Sequence, residues 1–107
     1  MSYNKKICGL LGIAMKAGKL VLGTDACIEK IENNIIKLIL VAKDASDRTK
    51  NKFKNKTDEF KVPYYEVSSI EEVSKSIGKN NKAVIGIIDK GFSKRIIEII
   101  NGGEEIG

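Results

Sequence analysis

Histidine and tryptophan are absent, proline occurs once, and only two cysteines appear in 107 residues. Without histidine the chain lacks the commonest general base and metal ligand, which excludes His-based catalytic triads and zinc fingers built on paired cysteines and histidines. A single proline excludes collagen-like and proline-rich readings. Cys8 and Cys27 form no Cys-x-x-Cys pair and fall on apolar helix faces. They read as two buried structural thiols in a reducing compartment. No apolar run approaches the ~18 residues that a membrane span needs. Gly, Lys and Cys interrupt the first apolar stretch, so no secretory leader and no membrane partner are expected, and the location reads as cytoplasmic.

What is present suits a packed core. Hydrophobic residues make up 42% and charged residues 31% of the chain. The length is that of one domain, expected over residues 1–101, with a short frayed tail over 102–107. The net charge is +5. It is unevenly spread: residues 1–19 carry +4 with no acid, 43–61 carry +3, and both 20–42 and 62–107 carry −1. If folding brings the two basic blocks together, they form a phosphate-attracting surface; otherwise they are solubilising faces.

Periodicity divides the chain into alternating elements. Ile7, Leu10, Leu11, Ala14 and Met15 follow helical spacing over about Asn4 to Lys16, and Gly18 ends that helix. Leu20-Val21-Leu22 is a short strand closed by Gly23, after which Thr24 can cap a second helix bearing Cys27, Ile28 and Ile31. Asn33-Asn34 stops it. The continuous apolar run within Ile36 to Ala42 suits an interior strand. Ser46 or Asp47 can cap a third helix with a thin inner stripe of Thr49, Phe53, Thr57 and Phe60. Its rows Lys50/Lys54 and Lys52/Lys56 read as solubilising. Pro63 opens a strand over Tyr64 to Val67, one tyrosine of which belongs in the core. Ser68-Ser69 with Glu71-Glu72 opens a fourth helix. A polar loop, Gly78 to Lys82, leads to an interior strand over Ala83 to Ile88, and Phe92 to Ile100 forms the last helix. The order αβαβαβαβα predicts an α/β fold: a three-layer α/β/α sandwich with a mixed or parallel four-stranded sheet.

Enzyme signatures fail. Gly12 to Leu20 has a phosphate-loop flavour. Its glycines, however, are separated by five residues instead of four, Leu20 stands where a Ser or Thr would hold magnesium, and the stretch precedes a strand. No dinucleotide fingerprint or nucleophile elbow occurs. Asp44 and Asp47 sit by a strand end, but read as helix-capping residues. No catalytic residue, metal ligand or cofactor is expected.

Three segments carry a family resemblance. They are Leu10-Leu11-Gly12-Ile13-Ala14-Met15-Lys16-Ala17-Gly18-Lys19-Leu20-Val21-Leu22-Gly23; Lys37-Leu38-Ile39-Leu40-Val41-Ala42-Lys43-Asp44-Ala45-Ser46; and Val62-Pro63-Tyr64, followed by Ile77-Gly78-Lys79 and by Ala83-Val84-Ile85-Gly86-Ile87-Ile88-Asp89-Lys90-Gly91-Phe92. Over nearly its whole length the chain resembles the ribosomal protein L-seven-Ae superfamily of kink-turn RNA-binding proteins, and within it the small bacterial YlxQ-like group.

The resemblance implies an α/β/α sandwich and a non-enzymatic, cytoplasmic protein that binds structured RNA, ribosomal or kink-turn-like, with ribosomal proteins as further partners. The implied RNA surface comprises Gly23, Thr24, Asp25 and Ala26; Lys43, Asp44, Ala45 and Ser46; and Gly78, Lys79, Asn80 and Lys82. Lys16, Lys19 and Lys43 would add phosphate contacts, with Lys30 close by on the second helix. A helix N-terminus offers free N–H groups to phosphate or base edges, and glycine permits close approach. One departure stands out. Kink-turn readers of the family carry Asn-Glu-x-x-Lys in the second helix, where this chain has Asp25, Ala26 and Glu29. That departure motivates an alternative, a protein-interaction adaptor of the same fold with weakened RNA binding. A third reading, a small-ligand enzyme, rests on Asp44 and Asp47 alone.

Overall fold

Side-chain alternation in two interior strands sets the layers. The computed structural model, which describes residues 2–102, runs α1 (Ser2–Lys16), β1 (Leu20–Leu22), α2 (Thr24–Glu32), β2 (Leu38–Val41), α3 (Asp47–Phe60), β3 (Tyr64–Glu66), α4 (Ile70–Ser76), β4 (Val84–Ile87) and α5 (Lys90–Ile100). The expected alternation is thus present in full. The sheet is mixed, in the order β1-β4-β2-β3. Strand β4 is antiparallel to both β1 and β2, while β2 and β3 are parallel.

Both central strands are buried on both faces. Successive side chains point to opposite faces. Leu38, Leu40, Ile85 and Ile87 therefore join Ile7 and Leu11 of α1, Val73 of α4, and Ile96 and Ile99 of α5. Ile39, Val41 and Val84 join Cys27 and Ile31 of α2 and Phe53 of α3. Helices α1, α4 and α5 cover one face of the sheet, and α2 and α3 the other. Gly86 is required by closeness: a Cβ there would fall on Ile36 Cδ1 and lie 3.2 Å from Cys27 Sγ. Tyr65 packs against the first core and Tyr64 against the second.

Local signals place most helix starts. Ser46 Oγ accepts from the Thr49 N–H at 3.1 Å, so Ser46 caps α3 instead of Asp47. Ser69 caps α4 through the Glu72 N–H, and Asp89 caps α5 through the Phe92 N–H. Gly18, at φ +73°, closes α1 through Lys19 N–H to Ala14 O, 3.0 Å.

Two expectations are corrected. Thr24 does not cap α2: the cap is Gly23, without a side-chain hydrogen bond, because Thr24 is already the first helical residue. Cys27 is buried, but Cys8 is only partly so. Cys8 lies ~100° round α1 from Ile7, off the stripe that faces the sheet, and its Sγ is 3.9 Å from the Glu72 carbonyl oxygen. Of the expected tail, Gly102 ends α5; residues 103–107 lie outside the described residues.

Candidate functional site

Topology collects three loops at one edge. Because β1 and β2 both oppose β4, and β3 follows β2, the first three strands end where β4 begins. The Gly23 turn, residues 42–46 and the end of the 78–83 loop therefore share one edge of the sheet. Hydrogen bonds hold them there. Ala42 N–H donates to Ala83 O at 2.9 Å and Lys43 N–H to Ser68 O at 3.0 Å. Asp44 Oδ1 accepts from the Ile70 N–H at 2.8 Å. Ser74 Oγ accepts from the Lys82 N–H at 2.7 Å and lies 3.3 Å from the Lys82 carbonyl, which pins the 78–82 loop.

Gly23 is the open point of this edge. Its φ of +96° and ψ of 152° belong to a region essentially reserved for glycine. A Cβ there would meet nothing within 4 Å. Glycine is needed for the backbone turn, and the space above it is open. The first intrahelical bond of α2 runs from Cys27 N–H to Gly23 O, 3.1 Å. The amides of Thr24, Asp25 and Ala26 precede it and receive no side-chain cap. Ser46, Ser69 and Asp89 cap α3, α4 and α5, so α2 is unlike those three helices.

The other implied contacts divide. Asp25, Lys43, Lys79 and Asn80 are exposed, and Gly78 with them. Thr24, Ala26, Lys30 and Lys82 are half-buried. Ala45 is buried beside Phe53, so only its backbone faces the edge. Asp44 is held as a cap on α4; its capping role was legible, but the helix it serves is distant in sequence. Lys16 ends α1, lines a hollow with Gly78 between α1 and α4, and leads into the start of β1, so it is not brought to Gly23. Lys19 sits beside Ile88 at the far end of β1, its carbonyl accepting from the Ile88 N–H at 3.0 Å. It is not brought to Gly23 either. Glu29, exposed on α2, is a carboxylate facing the same solvent as Asp25.

The two basic blocks do not merge. Helix α1 and helix α3 lie on opposite faces of the sheet. The α3 lysines are largely committed to carboxylates. Lys50 and Lys54 reach Glu66 at 3.5 and 3.7 Å, and Lys56 reaches Glu32 at 3.0 Å. Tyr64 Oη donates to Glu66 at 2.9 Å. This hydrogen bond and the two ammoniums hold the Glu66 carboxyl below its ordinary pKa, while burial and the neighbouring carboxylate push the Tyr64 hydroxyl up. The Glu66 cluster had no local signal, because Lys50 and Glu66 meet only through the β2–β3 pairing. Burial pushes the Cys27 thiol up to about 12, so it stays protonated at neutral pH. Among the described residues no helix is long and apolar enough to cross a membrane, and no His/Cys/Asp/Glu group could hold a metal.

Residues 5–97 match the model of the ribosomal protein L7Ae/L30e/S12e/Gadd45 family. The chain belongs to this family. It is 44% identical over 99 residues to the RNA-binding protein YlxQ of Enterococcus faecium, covering 92% of this chain and 95% of that one. It is 39% identical over 92 residues to the RNA-binding protein YlxQ of Bacillus subtilis (strain 168), covering 86% and 92%. The Giardia lamblia 15.5kD RNA binding protein superposes with a TM-score of 0.79 at 14% identity, over 100% of this chain and 92% of that one, which shows the shared fold. None of these names is that of an enzyme. Within the L7Ae family fold, the three loops carried over from sequence are those that the topology gathers beside Gly23.

Proposed function

We propose that the chain binds structured RNA, of kink-turn or ribosomal type, at the loop edge formed by residues 23–26, 43–46 and 78–82, without catalysis. The observation that carries this reading is the Gly23 turn: uncapped amides, open space above them, and Lys43 and Lys79 exposed on the adjoining loops. Amides at a helix N-terminus receive phosphate or base edges, and the ammoniums neutralise flanking phosphates. The names of the YlxQ relatives support an RNA ligand. A gel-shift titration tests it, with a kink-turn RNA, its G·A-disrupted version and a plain duplex. Tighter binding of the kinked RNA is expected. Equal weak binding to all three leaves only charge attraction, and no binding at ~50 mM salt, where phosphate contacts are strongest, removes the reading.

The adaptor reading has its own support in Asp25 and Glu29, two exposed carboxylates on the first turns of α2 where phosphate would be repelled. Protein partners that survive nuclease treatment during co-purification favour it.

A further inference from the structure

Helix α1 carries no carboxylate from Ser2 to Lys16. It packs beside α4 and leaves two open hollows along one seam. The first, of about 500 Å³, is lined by Lys5, Cys8 and Lys75; the second, of about 390 Å³, by Gly12, Ile13, Lys16 and Gly78. Cys8 and Ser76 line both, so the two hollows adjoin along the seam. Eleven helical steps separate Lys5 from Lys16, a span of about 16 Å. Lys5, Lys16 and Lys75 are all exposed, and Ile13 is 58% exposed between them. The carboxylate on this seam is Glu72, whose Oε1 accepts from Ser68 Oγ at 2.6 Å and is thereby tied toward the β3–α4 turn. Gly78 ends the seam and begins the 78–82 loop, where it also lines a third hollow together with Lys79, Asn80 and Asp44 of the loop edge.

We propose that a single-stranded RNA segment, leading off the structured element held at the loop edge, runs along the α1–α4 seam. Its phosphates meet Lys5, Lys16 and Lys75, and a base lies on Ile13. The proposal rests on the RNA reading for the class of ligand and adds a second, separate contact surface. Charge favours a polyanion here, since three ammoniums line the walls and α1 offers no acid. An exposed apolar side chain among them suits an unpaired base, which a duplex would keep stacked.

Fluorescence anisotropy with two probes separates the surfaces. One probe is an oligouridine of about 12 nucleotides; the other is a bare kink-turn hairpin without single-stranded ends. The triple variant Lys5→Gln, Lys16→Gln, Lys75→Gln is expected to bind the oligouridine about tenfold more weakly at ~50 mM salt, with the salt slope reduced by about 2. Its affinity for the bare hairpin should change less than about twofold. Ile13→Ala should weaken the oligouridine alone. A control of equal charge loss, Lys37→Gln, Lys52→Gln, Lys61→Gln, should leave oligouridine binding unchanged. Unaltered oligouridine binding in the seam variant overturns the proposal, as do an equal loss in the control, no oligouridine binding by the unmodified protein, and displacement by a polyglutamate peptide as effective as by RNA. Failure of the unmodified protein to bind the bare hairpin counts against the loop-edge reading instead, because the oligouridine reads the seam by itself.

Discussion

At the scale of single residues, two glycines do different work. Gly23 sits at φ +96° with open space around it, so alanine there meets torsional strain alone. Gly23→Ala should cost about 1–3 kcal/mol in urea unfolding and tilt the first turn of α2, weakening kink-turn RNA binding more than a surface Lys37→Gln substitution does. Gly86 has ordinary dihedrals but no room, because Ile36 and Cys27 occupy the place of a Cβ. Gly86→Ala should cost about 1–3 kcal/mol by overpacking, and adding Ile36→Val should return part of that loss. Glu66 supplies a pH signature. Its folded carboxyl titrates below its ordinary value, so the stability it contributes is complete above about pH 4.3 and is lost as pH falls through the folded value. Glu66→Gln should therefore be less stable by about 1 kcal/mol at pH 7, a modest figure because the side chain is 28% exposed. The gap should close as pH falls below about 4.

At the scale of elements, the proposed reading makes helix α2 the element that selects the RNA. Its cap is bare, its first turn carries Asp25, and Ala26 and Glu29 occupy positions where the family's kink-turn readers carry a Glu and a Lys. The double variant Ala26→Glu, Glu29→Lys should tighten kink-turn binding several-fold, measured against the G·A-disrupted RNA; unchanged affinity would show that α2 does not face the ligand. Elements were the most legible level of the sequence. The run from Leu38 to Val41 announced a strand covered on both faces, and Ser46 and Ser69 announced their helices. Thr24 misled, because a hydroxyl one residue past a glycine turn looks like a cap until the φ of Gly23 is known. Asp44 was legible as a capping residue and illegible as to target, since Ile70 comes to it only through the parallel pairing of β2 and β3.

At the scale of the whole molecule, layers override sequence blocks. The chain concentrates its positive charge in residues 1–19 and 43–61, yet the sheet stands between α1 and α3. One block lines the α1–α4 seam, while lysines of the other neutralise Glu66 and Glu32. No local pattern could reveal this, because the layer a helix joins depends on crossovers between strands far apart in sequence. The gathering of residues 23–26, 43–46 and 78–82 at one edge follows from the same topology, and there the family resemblance and the strand directions agree. The most direct test is an amide chemical-shift titration with kink-turn RNA. The expected result is that the amides of Thr24, Asp25 and Ala26 move first and furthest, together with residues 43–46 and 78–82. Shifts confined to α3, with those three amides unmoved at saturating RNA, would contradict it.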